Sequence, residues 1–212
     1  MTDDLTIFNP KHPVKYRSPL SGGDIPHISK ADVEYMIDTA RQHPRHGERD
    51  SLLVMTLFDG ALRCSEALRI RPVDITENDS GFFIQNVNGK GYKGQSRIRN
   101  AAISQSLASK LFSYAYQNGI GKTDQFFKIN RSRAHQIISA LMTEAGIQKP
   151  EHVGAVHVLR HSGALERLAM TGNPKALQDQ LGHANAEMTI RYMKTLSKAE
   201  TLKIQQGVDF KW

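Results

Sequence analysis

Six residues could do chemistry together, and they stand in the order Arg63, Lys90, His157, Arg160, His183 and Tyr192. In His157-Val-Leu-Arg160 an imidazole and a guanidinium fall at positions i and i+3, which share one face of a helix. Arginine offers a planar, bidentate grip on phosphate. Histidine moves a proton near neutral pH. Leu181-Gly-His183 sits at a predicted helix end, and nine residues later comes Tyr192 in Thr-Ile-Arg-Tyr-Met. A tyrosine hydroxyl can act as a covalent nucleophile. Arg63, in Gly60-Ala-Leu-Arg63-Cys-Ser-Glu66-Ala-Leu, lies in apolar helical surroundings and needs a partner or an anion. Glu66, three residues on, can hold it. Lys90 stands at a predicted hairpin tip, where a mobile amine can reach a substrate, and Lys93 is its rival.

Each feature also has an ordinary structural explanation. The histidine–arginine pair could be two surface bases, His183 a helix-end cap, Tyr192 a packing residue with a wet hydroxyl. Arg63 and Glu66 could be a surface pair of little worth, and Lys90 a solvated turn residue. Taken together they name one chemistry. Two arginines neutralise a phosphate as it becomes pentavalent, a tyrosine supplies the attacking oxygen, and a lysine and histidines manage protons. The arginines carry the charge, so no metal and no cofactor is expected.

The elements that must position these residues can be read from periodicity and punctuation. Residues 1–27 carry Pro10, Pro13, Pro19, Pro26 and Gly22-Gly23 and read as a flexible, mildly basic arm with Lys11, Lys15 and Arg17. Ser29 caps a helix with Asp32 as its complement. Helices follow at about 47–60 and 65–70, the second stopped by Pro72. Residues 82–87 read as a strand, Asn88-Gly89 as a hairpin turn and 96–103 as the returning strand, which makes a hairpin with a basic tip that carries Lys93, Arg97 and Arg99, the candidates for contact with a polyanionic partner. Helices are predicted at 104–117, 132–145 and 157–170, and one opens at Asn173-Pro174 and ends near Leu181. A short strand is predicted at 126–129. Asn185 is expected to cap the helix bearing Tyr192, and Ser197 with Glu200 to open a separate last helix ending at Gly207. The class is mainly α with a small antiparallel β-sheet (α+β). The absence of βαβ alternation, GxGxxG and GxxxxGK[ST] argues against dinucleotide and P-loop folds.

The bulk composition agrees. With 212 residues and 39% apolar content the chain can bury a full core. A formal charge of +7 favours polyanionic partners, nucleic acid before anionic membrane. One cysteine, Cys64, permits no disulfide within the chain and is assigned to packing. No run of eighteen apolar residues suggests a membrane span, and the acidic N-terminus does not read as a secretory signal.

The order Arg…Lys…HxxR…His…Tyr resembles the tyrosine recombinase family, the phage-type integrases. Gly-Ala-Leu-Arg63-Cys-Ser-Glu66-Ala-Leu is similar to the family's first arginine motif and Gly89-Lys90-Gly91 to its hairpin lysine motif. His157-Val-Leu-Arg160-His161-Ser resembles the box with the second arginine, and Leu181-Gly-His183 with Tyr192 the last box. The resemblance spans about residues 28–206. It implies that Tyr192 attacks a DNA phosphate, keeps a 3′-phosphotyrosyl link and releases a 5′-hydroxyl. Arg63 and Arg160 would hold the non-bridging oxygens and Lys90 protonate the leaving oxygen. His157 would act as base toward Tyr192, His183 hydrogen-bond the phosphate and Glu66 orient Arg63. Rejoining would need no ATP. Strand exchange would pass through a Holliday junction inside a homo-tetramer, or a dimer, on double-stranded DNA. Accessory DNA-bending proteins and a cytoplasmic, nucleoid-associated setting follow as expectations.

Three departures from the family pattern stand out. Only the 1–27 arm precedes the expected catalytic domain, 28–195, so a full N-terminal core-binding domain is not expected. The chain is either short by nature, resembling fimbrial phase-switch recombinases in size, or a fragment. The strand after Lys90 reads Ser-Arg-Ile-Arg-Asn-Ala-Ala-Ile rather than Arg-x-Val-Pro-Leu, which leaves Lys90 and Lys93 both open as the general acid. Cys64 replaces a more typical neighbour of Arg63. The tail, 196–212, carries Leu202 and Ile204 on one side of a short helix, and the resemblance implies docking on a neighbouring subunit. Rival readings are a type IB topoisomerase-like nicking-closing enzyme, a catalytically silent DNA-binding relative, and a metal hydrolase. The last lacks HExxH and paired carboxylates with ligand spacing.

Overall fold

The computed structural model describes residues 24–89, 97–183 and 186–206. Its elements follow local signals closely. Ser29 caps α1 (Lys30–Arg41): its hydroxyl accepts from the Asp32 N–H, and the Asp32 carboxylate accepts from the Ser29 N–H. Next come α2 (Gly47–Asp59), the one-turn α3 (Cys64–Ala67) and a 3₁₀ turn at Pro72–Asp74. Three antiparallel strands pair in chain order, β1 (Ile75–Asn78), β2 (Gly81–Gly89) and β3 (Arg97–Ile103). Ser104 caps α4 (Gln105–Gln117) and Asn130 caps α5 (Arg131–Glu144). The long α6 (Ala155–Thr171) ends at left-handed Gly172. Asn173 caps α7 (Pro174–Leu181), with Pro174 in its first turn, and α8 (Glu187–Gln206) closes the described chain.

The expected architecture, mainly helical with a small antiparallel sheet, is what the structure shows. Four details differ. The sheet gains β1, joined to β2 by a two-residue turn in which Asn78 pairs with Gly81. Residues 126–129 are not a strand: the Phe126 N–H donates to the Ile70 carbonyl, and both Phe126 and Phe127 sink into the core. Ser197 and Glu200 do not open a new helix, because α8 runs through them unbroken. Within the expected arm Ile25 is already buried, as is Ile28 just beyond it. The Ile25 N–H donates to Thr195 Oγ1 and the Ile28 N–H to Ser162 Oγ. Asn185, expected as a cap, lies outside the described residues.

Two apolar clusters organise the fold. The larger joins α1, α2, α4, α5 and the first half of α6 with the inner face of the sheet. The smaller gathers Ile25, Ala61, Ala164, Leu165, Leu168, Leu177, Leu181 and Tyr192. The two meet along α6, which α2 approaches so closely at Gly163 that an added Cβ would lie 1.8 Å from the Phe58 carbonyl oxygen. Backbone cannot retreat as a side-chain tip can. Gly163→Ala is therefore expected to cost roughly 3 kcal/mol, the upper end for over-packing, read as a lower urea midpoint. Polar braces fix the same region. Arg167 on α6 donates from Nε to the Asp59 carbonyl (2.6 Å) and from Nη2 to Asp59 Oδ1 (2.9 Å) and the Ala102 carbonyl (2.8 Å). Gln180 on α7 accepts from the Ala102 N–H and donates to the Gly60 and Ala102 carbonyls.

Candidate active site

Arg63, Glu66, Arg160, His183 and Tyr192 come from four stretches of sequence and meet where α3, β3, α6, α7 and α8 converge. Glu66 is the hub. Its carboxylate accepts from the Arg63 N–H (2.8 Å) and Arg63 Nη1 (2.8 Å), from Arg99 Nη1 (3.1 Å) and Nη2 (3.0 Å), and from Arg160 Nη1 (3.4 Å). Burial pushes this carboxyl up, but the Arg99 hydrogen bonds and charge, reinforced by Arg160, more than reverse that and hold it at about 2. Glu66 thus orients three guanidiniums rather than one.

Arg160 is the most enclosed of the three, with its side chain 5% exposed. Besides Glu66 it donates from Nη1 to the Ala61 carbonyl (2.6 Å) and from Nη2 to the Leu181 carbonyl (2.9 Å). The first acceptor has a conformational cost. Ala61 sits at φ +47, a left-handed conformation rare for a residue with a Cβ, and carries the Arg160 acceptor. Burial, followed by the repulsion of Arg63, lowers the Arg160 pKa to about 10, so it remains a cation at neutral pH. Arg63 is more open, with 30% of its side chain exposed, and is the arginine best placed to meet an incoming anion.

Arg99, expected as a DNA contact, turns inward instead, with its side chain only 9% exposed. A β-bulge between Ile84 and Val87 sets Arg99 opposite Val87. From there its Nε donates to the Gln180 carbonyl (2.7 Å) while both Nη atoms hold Glu66. Gly182, in the Leu-Gly-His box, takes φ +65, and a Cβ there would lie 2.9 Å from Arg99 Cδ. The glycine is needed both for the left-handed cap and for the Arg99 stem. Arg97 opens β3 opposite Gly89. Lys90 and Lys93 lie outside the described residues. Cys64, assigned to packing, is buried, and its thiol is pushed up by burial against the opposing effect of Arg131.

Tyr192 is 1% exposed, and its phenol is pushed above its ordinary value by burial despite the nearby Arg160, Arg191 and Arg63. Its hydroxyl lies 2.6 Å from Nδ1 of His161, not against His157, the partner expected from the sequence. His161 follows Arg160 on α6, one turn beyond His157, and that extra turn carries its ring to α8. The His157 and His161 rings are 6.4 Å apart, and His161 and Tyr192 5.8 Å. The His183 ring stacks against Tyr192, at 6.0 Å and 29°, and its Nδ1 lies 3.3 Å from Thr189 Oγ1. Burial first, and then the arginine charges around it, lower His183 to about 4. Burial and then Arg160 and His157 lower His161 likewise to about 4. Both are neutral at physiological pH. His157 is exposed at the rim, and its pKa is lowered by burial of part of the ring and by Arg160, His135, Arg131 and Arg63. His161 is the residue that the sequence reading passed over. The signal was present, since it stands at i+4 from His157 on the face that continues into Ala164 and Leu168.

The sequence model of the Phage integrase family matches residues 26–198. The chain belongs to that family. A tyrosine recombinase of Pseudothermotoga lettingae is 28% identical over 87% of the chain and 64% of its own length. The type 1 fimbriae regulatory protein FimE of Escherichia coli K12 is 27% identical over 69% of the chain and 74% of its own length. Among solved structures, XerA recombinase superposes with a TM-score of 0.65 at 24% identity, over 91% of this chain and 67% of that one. The catalytic domain of bacteriophage HP1 integrase superposes with a TM-score of 0.61 at 19% identity, over 87% of this chain and 96% of that one. The fold is that of the tyrosine recombinase catalytic domain. The chain spans just under two thirds of the Pseudothermotoga protein and 53% of XerH, another structural neighbour.

Proposed function

We propose that the chain is a site-specific DNA recombinase that cuts and rejoins strands through a phosphotyrosyl link on Tyr192. The observation that carries this reading is the joining of a buried tyrosine hydroxyl, flanked by two neutral histidines, to a carboxylate-braced trio of arginines. Arg63 and Arg160 grip the non-bridging oxygens of a DNA phosphate and stabilise the charge that grows as phosphorus becomes pentavalent. The Tyr192 oxygen bonds to phosphorus and the 5′-oxygen leaves, protonated by Lys90 or Lys93. His183 hydrogen-bonds the phosphate, and a histidine of the His157–His161 turn takes the Tyr192 proton. The bond energy stays in the phosphotyrosine, so the reverse attack by a 5′-hydroxyl reseals the strand without metal or ATP.

Related proteins support strand exchange over nicking and closing. XerH has been captured on its difH substrate before and after cleavage, and the Tn1549 integrase with a circular intermediate DNA. Their likeness supports DNA as the substrate here; assembly as a homo-tetramer or dimer on it, with the tail beyond residue 195 docking on a neighbouring copy, belongs to the same proposal and rests on the family resemblance alone. Among the described residues no helix is long and apolar enough to cross a membrane, and we place the protein with the nucleoid. The test is covalent capture. The protein is mixed with fragmented DNA from its source organism in EDTA, without ATP, denatured in SDS, and the protein-bound DNA is collected and sequenced. The reading expects a recurring set of fragments with recombinant joints. Fragments captured only when a divalent metal is added contradict it.

A further inference from the structure

We propose that His161, not His157, is the catalytic residue that receives the proton of Tyr192 as its hydroxyl attacks DNA. The assignment rests on the strand-transfer reading above and deepens it. The hydroxyl is 2.6 Å from Nδ1 of His161, within the short range of a strong hydrogen bond. Tyr192 is enclosed, so water is a poor proton acceptor there. A general base must lie within hydrogen-bond reach of the proton it takes, and His161 is the ring that meets this condition. Arg160, its chain neighbour, is held instead by Glu66, Ala61 and Leu181. One turn of α6 thus presents the anion clamp to the phosphate and the base to the nucleophile.

The step balances. The O–H bond of Tyr192 breaks and its proton goes to Nδ1 of His161. The tyrosyl oxygen bonds to phosphorus, and the bond from phosphorus to the 5′-oxygen breaks. That oxygen takes a proton from Lys90 or Lys93. Resealing runs the same transfers backward, with His161 returning its proton to the tyrosyl oxygen. The electrostatics give the order of events. In the protein without DNA, burial, Arg160 and His157 on α6, Arg191 on α8, and His183 beyond α7 all oppose a charge on His161, and burial keeps the facing Tyr192 protonated. The resting pair is a neutral phenol donating to a bare Nδ1. An arriving phosphate brings negative charge to Arg63 and Arg160 and relieves that opposition. The proton then moves as the oxygen bonds to phosphorus and loses its basicity.

The test has two arms. In the intact protein without DNA, the ¹⁵N spectrum of the His161 ring is expected to show Nδ1 unprotonated and Nε2 protonated. A proton on Nδ1 makes Tyr192 the acceptor and overturns the assignment. In the second arm, fragments captured by the wild type are offered to His161→Asn, which keeps a hydrogen-bonding group near the Nδ1 position but cannot take a proton, and to His157→Ala. Native retention of DNA is expected to match wild type for His161→Asn, while its rate of covalent capture falls about 100-fold or more, the usual scale for a lost general base. The wild-type rate should drop on acidification as His161 gains a proton, and the remaining His161→Asn activity should lack that limb. His157→Ala should lose less than His161→Asn. Capture by His161→Asn within threefold of wild type overturns the assignment and leaves strand transfer standing. A wild type that captures nothing overturns both.

Discussion

Glu66→Ala is expected to destabilise the folded protein by about 3–5 kcal/mol, the cost of removing one partner from a buried ionic cluster. The substitution leaves Arg63, Arg99 and Arg160 facing one another with the carboxylate gone, and Arg160 is almost wholly enclosed. Five hydrogen bonds converge on Glu66, so no single neighbour can replace it. With a slope near 2 kcal/mol per molar urea, the midpoint should fall by roughly 2 M. Glu66→Gln should fall between the two, since it keeps the shape and one acceptor oxygen but turns an NH₂ toward a guanidinium. Both variants should lose covalent capture of DNA, because the arginines no longer share one orientation. A midpoint within about 0.3 M of wild type for Glu66→Ala would show that the arginines find other anions, and that the hub is not what sets their geometry.

The second large effect separates packing from chemistry. Tyr192 lies in the smaller core with Ile25, Ala164, Leu165, Leu168, Leu177 and Leu181, and phenylalanine fills the same space. Tyr192→Phe loses one hydrogen bond, worth about 1 kcal/mol, and leaves Nδ1 of His161 without it. Stability should therefore change little while covalent capture of DNA disappears entirely. Thermal unfolding beside SDS-resistant capture reads both at once. A large drop in melting temperature with capture preserved would make Tyr192 a structural residue.

The parts of this fold that were legible in the sequence are those decided within a few residues. Ser29, Ser104 and Asn173 cap their helices because a cap needs only its own backbone and the next turn. The same locality misleads at Ser197–Glu200, where the pattern of a capping box sits inside a helix already under way, and α8 simply continues. Phe126-Phe127 looks like a strand from composition. Its backbone pairs with Ile70 at a loop rather than with a sheet edge, which sequence alone does not specify. At the site, the order of the boxes named the residues but not their partners. Arg99 turns inward because of strand register and a bulge, and Gln180 and Arg167 brace the region through contacts more than sixty residues apart in sequence. His161 was hidden by the emphasis that an HxxR pattern puts on its ends, although helical periodicity sets it on the same face.

Whether Tyr192 carries the DNA is tested most directly by finding the atom of attachment. Protein captured on DNA in EDTA is digested with nuclease and then with protease, and the peptide bearing a nucleotide is sequenced by mass spectrometry. One modified peptide containing Tyr192 is expected, with a nucleotide joined through its 3′-phosphate to the Tyr192 oxygen. A nucleotide on another tyrosine, such as the exposed Tyr116, on a serine, or joined through a 5′-phosphate, would contradict it.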